Sequence, residues 1–124
     1  MDKICKAAEE KIGPLAKGEK INGTYECRVD YMRGFLVCTN KGIQFIQGGG
    51  KNDEVFKKLF EAPYKDLDVG EEANTKLILT IDGMPYKKRL EPIGKPISVL
   101  EELLEPYVGI HEMPTPFLAD MRNT

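Results

Sequence analysis

The feature that most constrains this chain is a pair of short apolar runs separated by four residues suited to a turn. Residues 34–46 have the sequence GFLVCTNKGIQFI, in which β-branched and aromatic residues flank Thr39-Asn40-Lys41-Gly42. Such residues favour strands, and Asn and Gly tolerate the positive φ of a tight turn. The pattern therefore predicts a β-hairpin around which the other segments can be placed.

Length and composition predict one globular domain over residues 1–124. Hydrophobic residues make up 41% of the chain and charged residues 31%. No apolar run approaches the roughly 18 residues that would span a bilayer, so no transmembrane segment is predicted. The first residues contain no uninterrupted apolar run of the kind found in a secretory signal. A cytoplasmic location is expected by default.

Charge and cysteine content argue against several classes of ligand. The formal net charge is -2, whereas nucleic-acid-binding domains usually carry a basic excess. No nucleic acid is therefore expected as a partner. The three cysteines, Cys5, Cys27 and Cys38, show no CxxC spacing, so we predict reduced thiols and no metal site.

The N-terminal residues 2–17 carry one apolar stripe at helical spacing. Ile4, Ala8, Ile12 and Leu15 are separated by four, four and three residues, as on one face of a helix. Pro14 lies late enough to kink this helix or to end it early. Two interpretations stay open: the helix packs on the domain, or it forms an oligomer contact.

From residue 20 onward the period changes to two, which predicts strands. A turn at 30–34, a glycine-rich loop at 47–53 and an Asp82-Gly83 hairpin signal separate them. A helix is the alternative for 53–61, where the alternation is imperfect. The predicted strands cover residues 21–28, 34–38, 43–46, 55–63, 67–72, 76–81 and 85–90.

The C-terminal third predicts a helix and a tail. Apolar residues at 97, 100, 103, 104 and 107 follow Pro96, which suits a first helical turn. The tail covers residues 109–124, with a short helix predicted at 116–122. Phe117, Leu118 and Met121 would be costly to leave in water, so we expect this tail to dock.

Seven strands in hairpin order followed by one amphipathic helix resemble a bacterial or archaeal pleckstrin-homology-like (PH-like, GRAM-type) domain. Three motifs carry the resemblance: the hairpin at 34–45, the sequence APYKDL at 62–67, and the strand-turn-strand at 77–86. Together they span about residues 19–108. Gly42 stands where the family often has Arg, and the helix at 2–17 lies outside the family's core.

The predicted fold is mainly β, and α+β by content. It is a PH-like, seven-stranded, partly open antiparallel barrel that a C-terminal helix caps, with an extra N-terminal helix. A single apolar helix that comes last can close the open end of such a sheet. A two-layer α/β sandwich is the alternative, because it would use a helix at 53–61.

Few residues in the chain suit catalysis. The chain has one histidine, His111, in the predicted tail, and no nucleophile-elbow, zinc-protease, phosphate-loop or dinucleotide motif. The acidic pairs Glu9-Glu10, Glu71-Glu72 and Glu101-Glu102 are adjacent in sequence, so their side chains diverge. We therefore predict no enzyme activity and no cofactor.

The resemblance implies a binding site at the open mouth of the barrel, where some family members bind lipid head groups. The mouth loops contain Arg28, Arg33 and Lys51, whose charges suit a phosphate. Acidic residues lie in the same loops, which disfavours an anion.

A protein partner or self-association is therefore the favoured function, and anionic lipid binding at a membrane surface is the alternative. A small enzyme of unrecognised type is less favoured. The candidate interaction surface consists of Ile4, Ile12, Phe117, Leu118 and Met121.

Overall fold

The computed structural model describes residues 3–48 and 57–113, with side chains from residue 6 onward. These residues form two α-helices, one short 3-10 helix and eight strands. In chain order they are α1 (Lys3–Glu10), β1 (Ile21–Val29), β2 (Met32–Thr39), β3 (Gly42–Gln47), β4 (Lys57–Pro63), the 3-10 helix (Tyr64–Asp66), β5 (Leu67–Glu72), β6 (Lys76–Ile81), β7 (Lys88–Pro92), α2 (Ile97–Leu104) and β8 (Ile110–Glu112).

All eight strands belong to one open sheet of order β4-β3-β2-β1-β7-β6-β5-β8. Neighbouring strands are antiparallel except β5 and β8, which are parallel. Strand β1 joins the two halves, because its end pairs with both β2 and β7. The seven predicted strands are all present. β5 and β6 have the predicted bounds, β1, β2, β3 and β7 have shifted ends, and β8 is an eighth strand that the sequence did not indicate. The sheet is open and does not close into a barrel.

The alternative α/β sandwich is wrong. The segment that would have supplied its helix forms the edge strand β4 from Lys57 to Pro63. Phe60 and Ala62 of this strand are buried in the core while Glu61 is exposed, the alternation of a half-buried strand. Residues 53–56 lie outside the described part of the chain.

The predicted hairpin at 34–46 is confirmed, but its turn works differently from the expectation. Leu36 pairs with Phe45 and Cys38 with Ile43, yet neither Asn40 nor Gly42 has a positive φ. The Asn40 side chain instead accepts a hydrogen bond from the Lys20 amide (2.8 Å) and donates one to the Gly18 carbonyl (2.9 Å). The turn thereby ties the linker that follows α1 to the sheet.

The turn from β1 to β2 is tighter than predicted. It consists of Asp30 (φ 50°) and Tyr31 (φ 72°) between the paired residues Val29 and Met32, the geometry of a two-residue turn with positive φ at both positions. The predicted turn over 30–34 is therefore wrong at its end. Gly34 lies inside β2, where an added Cβ would clash with the Ile46 carbonyl oxygen.

Helix α1 ends at Glu10, so the prediction of a helix over 2–17 is too long. A proline at position 14 would clash with the carbonyl of residue 10 in a continuing helix, and Gly13 takes a φ of 84°. The segment still packs on the outer face of β2 and β3. This outer cluster consists of Ala8, Ile12, Phe35, Val37 and Ile46, with Ile21 at its margin.

The main core lies between the inner faces of the two sheet halves, and α2 closes it. Ile97, Leu100 and Leu104 of α2 are buried there. Regular α2 ends at Leu104 and residues 105–107 form a turn, which agrees with the expectation that Pro106, which has no N–H to bond within a helix, disturbs the last turn. Tyr107 stacks instead on Tyr64, with ring centroids 4.5 Å apart.

Candidate binding surface

The structure places the two predicted mouth arginines side by side on the outer face of the sheet. Arg28 of β1 and Arg33 of β2 are direct partners in the pairing register. The Arg33 guanidinium, however, lies 2.6 Å from the Glu26 carboxylate and donates two hydrogen bonds to it. Arg28 is exposed. Of the two charges, that of Arg33 is already neutralised within the chain.

Several predicted site residues lie where the structure gives no side-chain detail. Lys51, the third predicted phosphate contact, and Phe117, Leu118 and Met121 of the tail are outside the described residues, as is the side chain of Ile4. The predicted helix at 116–122 lies there too.

Ile12 is described, and it is only 7% exposed. It lies in the outer cluster, packed within its own chain. It therefore offers no apolar surface to a partner.

Two tyrosines project from the end of the sheet where β1 turns into β2 and β6 leads into β7. Tyr31 is 86% exposed and Tyr86 is 81% exposed. Tyr86 was predicted inside a strand, but β7 begins only at Lys88, so Tyr86 lies in the preceding loop. Met32 and Met84 at the same end are also partly exposed. We call these four residues the mouth surface.

A cleft of about 360 Å³ opens beside the mouth surface. Its apolar part consists of Tyr31, Ile78 and Met113, and Ile78 is only 8% exposed although it belongs to the outer face of β6. Gly70 of β5 leaves room for Met113, because a Cβ there would lie 2.5 Å from the Met113 Cγ. The remaining lining residues are Asp30, Glu72, Glu91, Lys87, Lys88 and Arg89.

Charges in this cleft are balanced and largely engaged. Arg89 lies 3.8 Å from Glu72, and its amide donates a hydrogen bond to the Asp30 carboxylate (3.0 Å). The Lys88 ammonium lies 4.8 Å from the centroid of the Phe60 ring, in a cation–π arrangement. The cleft therefore presents both signs of charge around a small apolar centre.

A second cavity, of about 490 Å³, lies between α2, β5 and β8. Its walls carry four carboxyl groups and one imidazole, together with apolar atoms of residues 108–110. The titratable residues are Glu71, Glu101, Glu105, Glu112 and His111. We call the four glutamates the glutamate cluster. The two side chains of an adjacent acidic pair diverge, as predicted. Glu71 of one pair and Glu101 of another nevertheless line this same cavity.

Two groups in and beside this cluster hold protons more strongly than usual. Burial, a side-chain hydrogen bond with Glu71 and the charges of Glu71 and Glu105 raise the pKa of Glu101 to about 7. The His111 pKa is raised by its hydrogen bond with Asp68 (2.8 Å) and by the charge of that carboxylate. Like charges that cannot all ionise raise the pKa of a carboxyl, whereas the opposite charge of Asp68 favours the protonated imidazole.

The two described cysteines are unsuited to nucleophilic chemistry. Cys27 and Cys38 are free thiols, fully buried on adjacent strands. Burial raises the pKa of Cys38 to about 12 and that of Cys27 further still. Because the thiolate is the reactive form, both side chains act as apolar core residues.

Comparisons with known proteins identify the fold but not a relative of known activity. No family model matches the chain, and no curated protein matches it. A pleckstrin homology domain from Shewanella amazonensis SB2B superposes with a TM-score of 0.56 at 20% identity, covering 84% of this chain and 96% of that one. The C-terminal domain of an unknown protein from Leishmania infantum gives a TM-score of 0.54 at 12% identity, over 82% and 92%.

The predicted PH-like fold is therefore confirmed: this chain is a mostly β protein with the fold of a pleckstrin homology domain. Within the described residues no helix has the length and apolar character needed to cross a membrane.

Proposed function

We propose that this chain is a non-catalytic binding module that recognises a protein partner, or a second copy of itself, through the mouth surface. The observation that carries the proposal is the exposure of Tyr31 and Tyr86 beside a preformed cleft. Tyrosine is enriched among the residues that dominate interface energetics, since it adds large contact area with little conformational freedom to lose.

The balanced charge of the cleft favours a protein over an anionic lipid. Asp30, Glu72 and Glu91 line the same space as the three basic residues, and they would repel a phosphate group. A protein surface of mixed charge can pair with both signs, which fixes its orientation on the module.

The test compares wild type with the double variant Tyr31→Ser, Tyr86→Ser. Sedimentation velocity over a concentration series measures self-association, and affinity capture from cells of the source organism measures binding of other proteins. Losing one anchoring tyrosine costs about 2 kcal/mol, or about thirtyfold in Kd. Leu15→Ser is the matched control, because Leu15 is also an exposed apolar residue but lies in the α1–β1 linker.

Wild type should associate or retain a specific protein, the double variant should lose that contact, and Leu15→Ser should keep it. The proposal fails if wild type is strictly monomeric and retains nothing, or if the double variant binds as wild type does.

Anionic lipid binding is the second candidate, and the basic run Lys87-Lys88-Arg89 beside the exposed tyrosines is the observation that favours it. Pelleting with phosphatidylserine vesicles, with neutral phosphatidylcholine vesicles as the control, tests it at low and high salt. Pelleting that is absent, or that does not weaken with salt, removes this candidate, since electrostatic attraction to a membrane is screened by salt.

A further inference from the structure

Strand β8 is the shortest of the described strands. It has three residues, Ile110–Glu112, and it pairs in parallel with β5 at the edge of the sheet. Beyond it, the Met113 amide donates one more hydrogen bond to the Glu71 carbonyl (2.9 Å). His111 and Glu112 are exposed. A short edge strand with little buried apolar surface is expected to open locally while the rest of the fold persists.

The glutamate cluster lies directly beneath this strand. Glu112 of β8 is the register partner of Glu71 in β5, and α2 contributes Glu101 and Glu105 to the same cavity. If all four carboxyls were ionised, the repulsion of Glu112 from the three others would oppose docking of β8 against β5 and α2. A proton held within the cluster relieves that repulsion.

The outer side of β8 carries a second contact that depends on a proton. His111 lies 2.8 Å from Asp68 of β5, and this becomes an ion pair only when the imidazole is protonated. The nearby positive charge of Lys87 acts in the opposite direction. The titratable and charged groups that face β8 are thus Glu71 and Asp68 from β5, Glu101 and Glu105 from α2, Glu112 and His111 on β8 itself, and Lys87 ahead of β7.

We propose that β8 is a pH-dependent latch, which docks on β5 under mildly acidic conditions and detaches as the pH rises through neutrality. Release would also withdraw Met113 from the cleft, where it lies beside Ile78. Withdrawal of Met113 would regulate binding at the cleft, and it is the one step that rests on the proposed function. Docking itself is measured without any partner, so either proposal can fail while the other stands.

The direction of the pH effect follows from which state binds more protons. The Glu101 pKa is about 7 in the docked state, and burial is the largest cause. Residues of β8 line the cavity that holds Glu101, so release of the strand admits water and lowers this pKa. Docked protein therefore binds more protons than detached protein near neutral pH, and docking weakens as the pH rises toward 7. The raised pKa of His111 acts in the same direction, because its contribution is lost as the pH rises through that pKa.

Hydrogen–deuterium exchange of the full chain, read at the amides of residues 110–113 from pH 5.5 to 8.5, tests the latch. After correction for the intrinsic exchange rate, protection should fall about tenfold across this range. Glu101→Gln keeps the shape and the hydrogen bond but cannot ionise, so its protection should stay high at the upper end. Glu102→Gln is the matched control, because Glu102 is exposed on the same helix outside the cluster.

Amides of β6 serve as the internal reference for global unfolding. A wild-type protection factor that does not change with pH overturns the latch. So does a Glu101→Gln profile that follows wild type, or a Glu102→Gln profile that flattens like Glu101→Gln. If Glu101→Gln does not fold, Glu105→Gln replaces it, and an unchanged profile in that variant has the same meaning.

Discussion

The two elements that flank the sheet-and-helix core, α1 and β8, are attached by opposite means. Ala8 of helix α1 and Ile12, two residues after its end, lie in an apolar cluster with side chains of β2 and β3. Strand β8 packs only Ile110 against the core, exposes His111 and Glu112, and is attached through main-chain hydrogen bonds beside a group of carboxyls. Apolar contact does not depend on protonation, whereas repulsion among carboxyls does. With the proposed latch, the comparison sets a permanent addition at one end against a reversible one at the other.

The sharpest test of the permanent attachment is Ile46→Ala. Ile46 is fully buried beneath α1, and removal of such a side chain costs about 3 kcal/mol from lost burial and the cavity left behind. Urea unfolding followed by far-UV circular dichroism measures this loss. Leu15→Ala, at an exposed position, should change stability by less than about 0.5 kcal/mol. Equal losses in the two variants would contradict the packing of α1.

A smaller loss is expected from Asn40→Ala, which removes the side-chain hydrogen bonds to residues 18 and 20. Both bonds are exposed, so we expect a decrease in unfolding free energy of about 1 kcal/mol. Faster amide exchange should be confined to the α1 segment and its linker. If exchange in β8 accelerates equally, the two ends are not independent and the comparison is wrong.

Gly70→Ala should weaken the docking of β8 at every pH. The new Cβ would lie 2.5 Å from Met113 Cγ and 3.2 Å from His111 Cε1, so these two side chains must shift. Exchange of residues 110–113 should become faster at every pH, while the free energy of unfolding changes by less than about 1 kcal/mol because the edge opens locally. Gly109→Ala is the control, since a Cβ at Gly109 meets no atom within 4 Å. Loss of protection in both variants would attribute the faster exchange to the lost backbone freedom of glycine, and not to contact with Met113.

The smallest effect is expected from His111→Gln. The exposed ion pair with Asp68 is lost, and exposed pairs contribute little. We expect the fall in β8 protection to begin at slightly lower pH and to keep most of its amplitude, because Glu101 still titrates. Disappearance of the pH dependence would assign the latch to His111 and not to the glutamate cluster.

The fold was largely predictable from the sequence because its signals are local. Alternating apolar residues at 76–81 and the flanked turn at 39–42 depend on neighbours in the chain, as strand periodicity does. Gly42, the one departure noted in the hairpin motif, is explained by close contact: a Cβ there would clash with the Ala62 carbonyl oxygen. Strand β8 escaped prediction because three residues are too few to show a period.

The candidate sites were harder to predict because they depend on residues far apart in sequence. Glu71 and Glu101 come together only after α2 packs over β5. In the sequence each belongs to an adjacent acidic pair, a pattern typical of a solvent-exposed surface. Tyr86 alternates correctly for a strand, yet β7 starts two residues later. A late strand start could have been suspected from Pro85, which restricts the residues around it.

Tyr31 carries a further consequence for how this protein evolves. A bulky side chain at a φ of 72° is strained, and Gly or Asn would occupy the same turn at lower energy. Stability alone therefore selects against tyrosine at this position, and its retention in related chains would signal selection for something else. Tyr31→Asn should yield a more stable protein that binds its partner less well, because residues at binding surfaces often lower stability in favour of function.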